Sequence, residues 1–207
     1  NPTDANLLTT MVKMLTRADC VKTDLFLKSA VALHEINPSS SSAYGLYRLY
    51  ASRDEDRLAA QFFETAVSLL DPNDEKTAAE YNLELATFYF KKLNRGATAV
   101  ATAKKAIEYD QSIAGKAYLL IGTIWGSQDC PGSEVDVRSK YWVAVDYMVK
   151  AKNADPEVAE HADELAAQYR RYFPMQVDAF MYDVTDGQRY TVSCGGMTEI
   201  TTVRTQK

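Results

Sequence analysis

Apolar and small residues recur along most of the chain at the three- and four-residue spacing of an amphipathic helix. Residues 80–113 give the clearest example, because two helical stretches flank a short turn at residues 93–96. In the first stretch Leu83, Ala86, Thr87 and Phe90 lie on one face at helical spacing. The second stretch carries its small face on Ala99, Ala103 and Ala106. The pattern predicts a helical hairpin whose alanines let a neighbouring helix approach closely.

This two-helix unit recurs along the chain. An acid or amide followed by proline marks Asn1-Pro2, Asn37-Pro38, Asp71-Pro72 and Asp155-Pro156, and the first two intervals are 36 and 34 residues. Proline stops one helix and suits the first turn of the next. We therefore predict a degenerate unit over 3–38, further units over 40–73, 80–113 and 115–156, and a capping helix near 157–172.

These units resemble the tetratricopeptide repeat, a helical hairpin of about 34 residues. Residues 40–73 match its pattern at Leu46, Tyr50, Ala59, Phe63, Ala66 and Pro72. Residues 115–156 match it at Tyr118, Ile121-Gly122, Trp125, Ala144, Met148, Ala151 and Pro156. The chain departs from the pattern at Tyr47, where a small residue is expected, and by ten extra residues between Trp125 and Ala144. The resemblance implies an all-α superhelix of antiparallel helix pairs over residues 1–173.

The pattern changes after Pro174 to the two-residue alternation of β-strands. Asp186-Gly187 and Gly195-Gly196 are hairpin turn signals. We predict a C-terminal β-meander within residues 174–207, with strands at 179–184, 188–194 and 197–205. Since a small isolated sheet is marginal in water, the meander should pack on the last helices.

The combination of repeats, cysteine-containing insert and β tail resembles a group of Bacteroidetes cell-envelope repeat proteins. That resemblance implies an exported protein, in the periplasm or cell envelope, with no enzymatic activity; the cytoplasm is the alternative location. Asn1-Pro2 resembles the end of a preceding repeat. We therefore expect the chain to be the C-terminal part of a longer array.

Charge and composition narrow the function classes. The net charge is −5 and the chain has no lysine- or arginine-rich run, which argues against a nucleic-acid-binding protein. No stretch has the apolar length of a membrane-spanning helix. The only histidines, His34 and His161, lie far apart and are expected at the surface. No catalytic, metal or cofactor motif is visible, so we predict a protein that is not an enzyme and has no cofactor.

In tetratricopeptide arrays the first helix of each pair lines a groove for a partner peptide. Carried over residue by residue, the outward positions are Tyr44, Arg48, Tyr81, Glu84, Phe88, Lys91, Lys116, Leu119 and Thr123. They do not match the basic clamp by which chaperone-binding members hold a terminal carboxylate. Their tyrosines and phenylalanine favour an apolar-aromatic contact surface with Arg48 as a polar anchor. The alternative, that this face is packed or covered, stays open.

Two functions follow from these observations. The leading hypothesis is a cell-envelope scaffold that binds a protein or peptide. The alternative is an accessory domain of an envelope enzyme or transport complex, in which the 126–140 loop and the C-terminal tail form a small-ligand pocket.

The topology of the helix pairs also bears on the three cysteines. Cys130 lies in the turn that holds the ten extra residues, and the tail carrying Cys194 begins at the same end of the helices. If the protein is exported, Cys130 and Cys194 should form a disulfide and leave Cys20 free. In a reducing compartment they would be ordinary thiols.

Overall fold

The computed structural model describes residues 4–18 and 20–207, so the Asn1-Pro2 pair lies outside it. About 70% of the chain is helical, in antiparallel helix pairs, which confirms the predicted fold class. The helices are α1 (Ala5–Arg17), α2 (Asp24–Ile36), α3 (Ser40–Ala51), α4 (Asp56–Ser68), α5 (Glu75–Leu93), α6 (Gly96–Tyr109), α7 (Ala114–Ser127), α8 (Glu134–Ala154), α9 (Ala159–Arg170) and α10 (Gln176–Met181). Two strands follow, β1 (Arg189–Cys194) and β2 (Met197–Thr202). The chain forms two compact units, residues 1–81 and residues 82–207.

Three helices of the first unit, α1, α2 and α3, begin at side-chain caps. Asp4 caps α1 and Thr23 caps α2 through side-chain oxygens that accept backbone N–H groups. Ser39 and Ser42 form a reciprocal capping box at the start of α3. Four residues of the repeat pattern predicted over 40–73 are buried in this unit. Leu46 on α3 and Ala59, Phe63 and Ala66 on α4 are all inaccessible to solvent or nearly so.

His34 corrects one sequence expectation, because it is buried and not at the surface. Its Nδ1 lies 2.6 Å from the hydroxyl oxygen of Ser42. Its ring meets Phe62 edge-on, with ring centroids 5.8 Å apart. The serine of the capping box thus also satisfies a buried imidazole, and His34 has a structural role at the contact of α2 with α3.

The second unit is packed most densely around α7 and α8. Small residues line the contact, and a side chain at Gly122 would meet Met148 Cε at 2.7 Å and the backbone oxygen of Ala144 at 3.0 Å. That absence of a Cβ lets the two helices approach closely. Trp125 on α7 and Trp142 on α8 are both completely buried. The ten extra residues of the insert are absorbed by a longer α8 and the 128–133 turn.

The predicted first strand of the tail, 179–184, is wrong. Gln176–Met181 form helix α10 instead, because the Ala179 N–H donates to the Met175 carbonyl and the Val184 N–H returns to the Ala179 carbonyl. Asp183, at φ 57°, ends the turn in the left-handed region that aspartate tolerates. These backbone groups are therefore used locally and are not offered to a third strand.

The other two strands form an antiparallel hairpin, so the tail is a two-stranded sheet and not a meander. Cys194 pairs with Met197 across the two-residue turn Gly195-Gly196. Both glycines have positive φ, 56° and 77°, as a tight hairpin turn of this length requires. The hairpin packs on α8.

Candidate functional site

The first unit contains an apolar pocket of about 600 Å³ between α1, α2 and α3. Three of its lining residues, Thr16, Ser42 and Arg48, are polar, and every other one is aliphatic, aromatic or glycine. The apolar or glycine lining is Val12, Val21, Phe26, Ala30, Leu33, Gly45, Leu46 and Leu49. Pockets of this size and chemistry are where proteins commonly bury apolar ligand groups.

Arg48 is the charged residue of this pocket. The hydroxyls of Thr16 and Ser42 are already hydrogen-bonded within the chain, to the Val12 carbonyl and within the α3 cap respectively. Arg48 is exposed, and no carboxylate in residues 4–18 and 20–207 forms an ion pair with it. Its guanidinium group is therefore available to a carboxylate on a ligand whose apolar part enters the pocket.

Gly45 makes the pocket accessible. A Cβ built on Gly45 would meet no heavy atom within 4 Å, although Leu46 beside it is buried. The pocket thus has open space where α3 carries no side chain. A larger side chain substituted at Gly45 can therefore enter the pocket without displacing a neighbouring atom.

The predicted groove positions of the first unit fall into two environments. Arg48 lines the pocket. Tyr44 is half-buried and stacks on Tyr81, with ring centroids 4.7 Å apart and an angle of 14° between the rings. Both rings also meet the buried Phe63 edge-on. Tyr44 and Tyr81 therefore belong to an aromatic cluster and are only partly available to a partner.

In the second unit Phe88 corrects the groove prediction, because it is 7% exposed and belongs to the core. Lys91 and Lys116 are exposed, and Glu84, Leu119 and Thr123 are half-buried. The Thr123 hydroxyl is used locally, since it donates to the Leu119 carbonyl. The structure thus leaves lysines on α5 and α7, and not aromatic rings, as the most accessible predicted positions of this unit.

Sequence reasoning missed most of the apolar pocket. Its α1 and α2 lining follows an ordinary helical spacing, which predicts core and carries no signal for a gap. The one useful signal was Gly45, since glycine inside a helix lowers stability and needs a reason. The pocket could not be predicted from Gly45, because the other helices that line it, α1 and α2, form the repeat that matches the pattern least.

The tail and the insert are joined by a disulfide bond between Cys130 and Cys194, with a sulfur–sulfur distance of 2.01 Å. Cys20 is a free thiol. Trp142 Nε1 donates to the Arg204 carbonyl at 2.7 Å, and Tyr190 donates to Asp136 at 2.6 Å. The tail is therefore held covalently on the 128–133 turn and by polar contacts and packing on α8.

The alternative small-ligand pocket between the 126–140 loop and the tail is not favoured. Most of that range is helical, since α7 ends at Ser127 and α8 begins at Glu134. Gln128 fills the space beside the hairpin turn, where a Cβ on Gly195 would collide with its side-chain oxygen. Lys140 donates to the Gln128 carbonyl and fixes the same turn.

A polar cleft of about 370 Å³ lies where the hairpin meets α6, α7 and α8. Glu199 of the hairpin accepts hydrogen bonds from Lys104 at 2.7 Å and from Tyr147 at 2.6 Å. Burial by itself would raise the pKa of Glu199, but these two donors outweigh it and hold the pKa below its usual value. Burial and the same carboxylate raise the pKa of Tyr147. The cleft is thus a set of matched polar contacts that position the tail.

The described residues meet the requirements neither of a metal site nor of a membrane-spanning helix. Within 4–18 and 20–207 no group of three or more histidine, cysteine, aspartate or glutamate side chains is arranged to hold a metal ion. No helix in the same part of the chain has the length and apolar character to cross a membrane.

No family model matches the chain, and no curated protein sequence does. Solved structures are similar to it. A crystal structure of MamA gives a TM-score of 0.53 at 19% identity, over 77% of this chain and 83% of MamA. A second crystal structure of MamA gives 0.52 at 16% identity, over 81% and 87%. YrrB, described as a TPR protein with an unusual peptide-binding site, gives 0.46 at 16% identity, over 83% and 86%.

MamA is a tetratricopeptide-repeat protein, and at these identities the likeness is one of fold. The helix pairs, their small-residue contacts and this structural likeness together show that the chain has the fold of tetratricopeptide-repeat proteins.

Proposed function

We propose that this protein is a non-enzymatic scaffold that binds a peptide segment of a partner protein in the apolar pocket of its first unit. The pocket is the observation that carries the proposal: about 600 Å³ of apolar space with one available cation, Arg48, in its lining. The segment presents a large apolar side chain to the pocket and an aspartate, glutamate or terminal carboxylate to Arg48.

The chemistry of the lining supports a peptide of this kind. The apolar walls supply affinity by removing ligand surface from water, at about 25 cal/mol per Å². They supply little orientation, since the hydroxyls of Thr16 and Ser42 are engaged within the chain. Orientation then rests on Arg48, which pairs with carboxylates through two parallel N–H groups.

The test begins with a phage-displayed library of random peptides selected on the immobilised protein. We expect enrichment of peptides that combine an aromatic or long aliphatic residue with a nearby acid. Affinity of a labelled synthetic peptide is then measured by fluorescence anisotropy. Gly45→Trp fills the pocket and should weaken binding at least about tenfold, whereas Gly45→Ala should retain it.

The Arg48 contribution is tested with a matched pair of charge reversals. Arg48→Glu should weaken binding of the acidic peptides about tenfold or more, while Arg57→Glu, at an exposed position on α4, should leave it unchanged. If the peptides bound Gly45→Trp as tightly as they bind the wild type, the interaction would lie elsewhere and the proposal would be overturned. The proposal would also be overturned if the library yielded no binding peptide and an apolar small molecule bound the pocket.

We also propose that the protein acts in the periplasm or cell envelope. The Cys130–Cys194 bond supports this location, because disulfides persist in oxidising compartments. Fractionation of the native cells with an antibody tests it: signal in the envelope or periplasmic fraction is expected, and signal confined to the cytosol contradicts it.

A further inference from the structure

The surface around α10 carries an unusual concentration of exposed apolar side chains. Val177, Phe180 and Met181 are 72%, 72% and 76% exposed and are the most exposed large apolar residues in the described part of the chain. Their i, i+3, i+4 spacing places them on one face of the helix. Tyr172, Met175 and Tyr182, also exposed, flank that face along the chain. We call these six residues the α10 patch.

The patch is held in a fixed position. Met175 forms a parallel β-bridge with Gln206, and the Gln206 side chain donates to the carbonyls of Arg171 and Phe173. On its inner face α10 buries Ala179 completely. Because both the start of the helix and its inner face are anchored, the apolar outer face is presented to solvent as a preformed surface.

The exposed area matches one side of a protein dimer. The three aromatic side chains of the patch have on the order of 150–250 Å² of surface each. With the valine and two methionines, and at exposures of 43% to 76%, the six residues together present roughly 500 Å². A standard interface takes about 800 Å² from each partner, and about 65% of a homodimer interface is apolar, which is again roughly 500 Å². Patches of this area on a monomer commonly mark an interaction site.

The charged residues in and beside the patch include equal numbers of both signs. Arg170 and Arg171 precede the patch, whereas Asp178 and Asp183 lie within and after it, and the four charges sum to zero. No ion pair joins these four side chains to any other described residue. A twofold axis through the apolar centre can place the arginines of one copy opposite the aspartates of the other, in two equivalent pairs. A neutral edge gives no attraction to an anionic membrane surface, so it favours a second protein over lipid.

We propose that the α10 patch is a homodimer interface, occupied by the α10 patch of a second copy of this chain. Val177, Phe180 and Met181 form the apolar centre, and the two arginines and two aspartates form reciprocal pairs around it. This proposal concerns the second unit and is independent of the peptide pocket in the first. Gly45→Trp should therefore leave the dimer intact.

The first test is sedimentation equilibrium of the full chain across the micromolar range. The wild type should approach twice the 23.1 kDa of one chain. Phe180→Glu should weaken dimerisation by about 30-fold or more, the effect of losing a central interface residue. Tyr109→Glu, at another exposed aromatic position of the same unit, is the matched control and should dimerise as the wild type does. Circular dichroism checks that both variants keep their helices.

The second test uses the charges and separates self-association from other occupants. One variant carries Arg170→Glu with Arg171→Glu, and the other carries Asp178→Lys with Asp183→Asn, asparagine being suited to the left-handed backbone at that position. Each alone should dimerise poorly, and a mixture of the two should form heterodimers. A wild type that stays monomeric at high concentration overturns the proposal. Binding of that monomer to phosphatidylcholine–phosphatidylglycerol vesicles, abolished by Phe180→Glu, would assign the patch to a membrane surface instead.

Discussion

Two glycines inside helices, Gly45 and Gly122, differ in how closely their surroundings are packed. Both lie inside helices, but a Cβ on Gly45 meets open space and a Cβ on Gly122 meets Met148 and the backbone of Ala144. Gly45→Ala should raise the free energy of unfolding by up to about 1 kcal/mol, because alanine favours the helix. Gly122→Ala should lower it by about 1–3 kcal/mol through overpacking. Urea denaturation of the two variants measures both, and effects of the same sign would contradict the assigned environments.

Phe88 gives a second prediction at the residue scale. Because its ring is buried, Phe88→Ala should lower the free energy of unfolding by about 3–5 kcal/mol, the usual effect of removing a core phenylalanine. Lys91→Ala, on the exposed side of the same helix, is the control and should change it by less than about 0.5 kcal/mol. Thermal denaturation monitored by circular dichroism reports both. A near-neutral Phe88→Ala would restore the groove assignment made from the sequence.

At the scale of elements, the hairpin is attached to α8 by contacts that depend on pH. Tyr190 donates to Asp136 and is the main cause that lowers the pKa of Asp136 from 3.8, while Lys104 and Tyr147 lower the pKa of Glu199 from 4.5 against the effect of burial. Carboxylates with lowered pKa values stabilise the folded state above their unfolded pKa. That stability is lost as pH falls through the lower folded values. The melting temperature should therefore decline below about pH 4.5.

Glu199→Gln tests the acid transition, since it removes one of these carboxylates. Its melting temperature should fall less than that of the wild type between neutral and acid pH, whereas Glu160→Gln, exposed on α9, should follow the wild type. Burial and the Asp136 carboxylate raise the pKa of Tyr190 from 10.0 to about 12. The stability that Tyr190 contributes is present below pH 10 and is lost as pH rises through about 12. A second decline of the melting temperature is therefore expected in that range. Identical acid profiles for Glu199→Gln and the wild type would rule out the Glu199 contribution.

The disulfide is the other attachment of the hairpin. Thiol titration of the denatured, unreduced protein should find one free thiol, Cys20, and reduction should release two more. Because the bond closes a loop of 64 residues, the Cys130→Ala, Cys194→Ala double variant should be less stable by up to about 4 kcal/mol in the chain-entropy view. Cys20→Ala is the matched control and should change stability little. Three free thiols in the unreduced protein would exclude the bond.

At the scale of the whole molecule, burial is distributed unevenly between the helices. Helix α1 buries only Leu8, whereas α8 buries ten residues, including Trp142 and Val143. In repeat proteins each element is stabilised by its neighbours alone, so local stability follows local burial. Amide hydrogen exchange measured by mass spectrometry should therefore be fastest in α1 and slowest in α8. Exchange at equal rates in the two helices would mean that the whole chain opens as one cooperative unit.

The helical framework could be predicted from local sequence patterns. The spacing of alanines such as Ala99 and Ala106, and the recurring acid-or-amide–proline pairs, predict the helix pairs to within a few residues, because helix periodicity and capping are local properties. The Gly195-Gly196 turn was predicted for the same reason, since only a few residues satisfy its backbone angles. The alternating direction of the predicted helices also indicated that Cys130 and Cys194 lie at one end of the helices.

Which helix faces stay exposed depends on packing between elements that are distant in the chain. Phe88 and His34 occupy periodic positions compatible with either surface or core, and contacts with other helices bury them. Residues 179–184 have strand-like composition, yet 179–181 belong to α10 (Gln176–Met181) and 182–184 form the turn after it through local backbone bonds. Val177, Phe180 and Met181 are left in solvent. The pocket beside Gly45 exists because three helices fail to fill the space between them. Packing of this kind depends on residues far apart in the chain, so no local pattern encodes it.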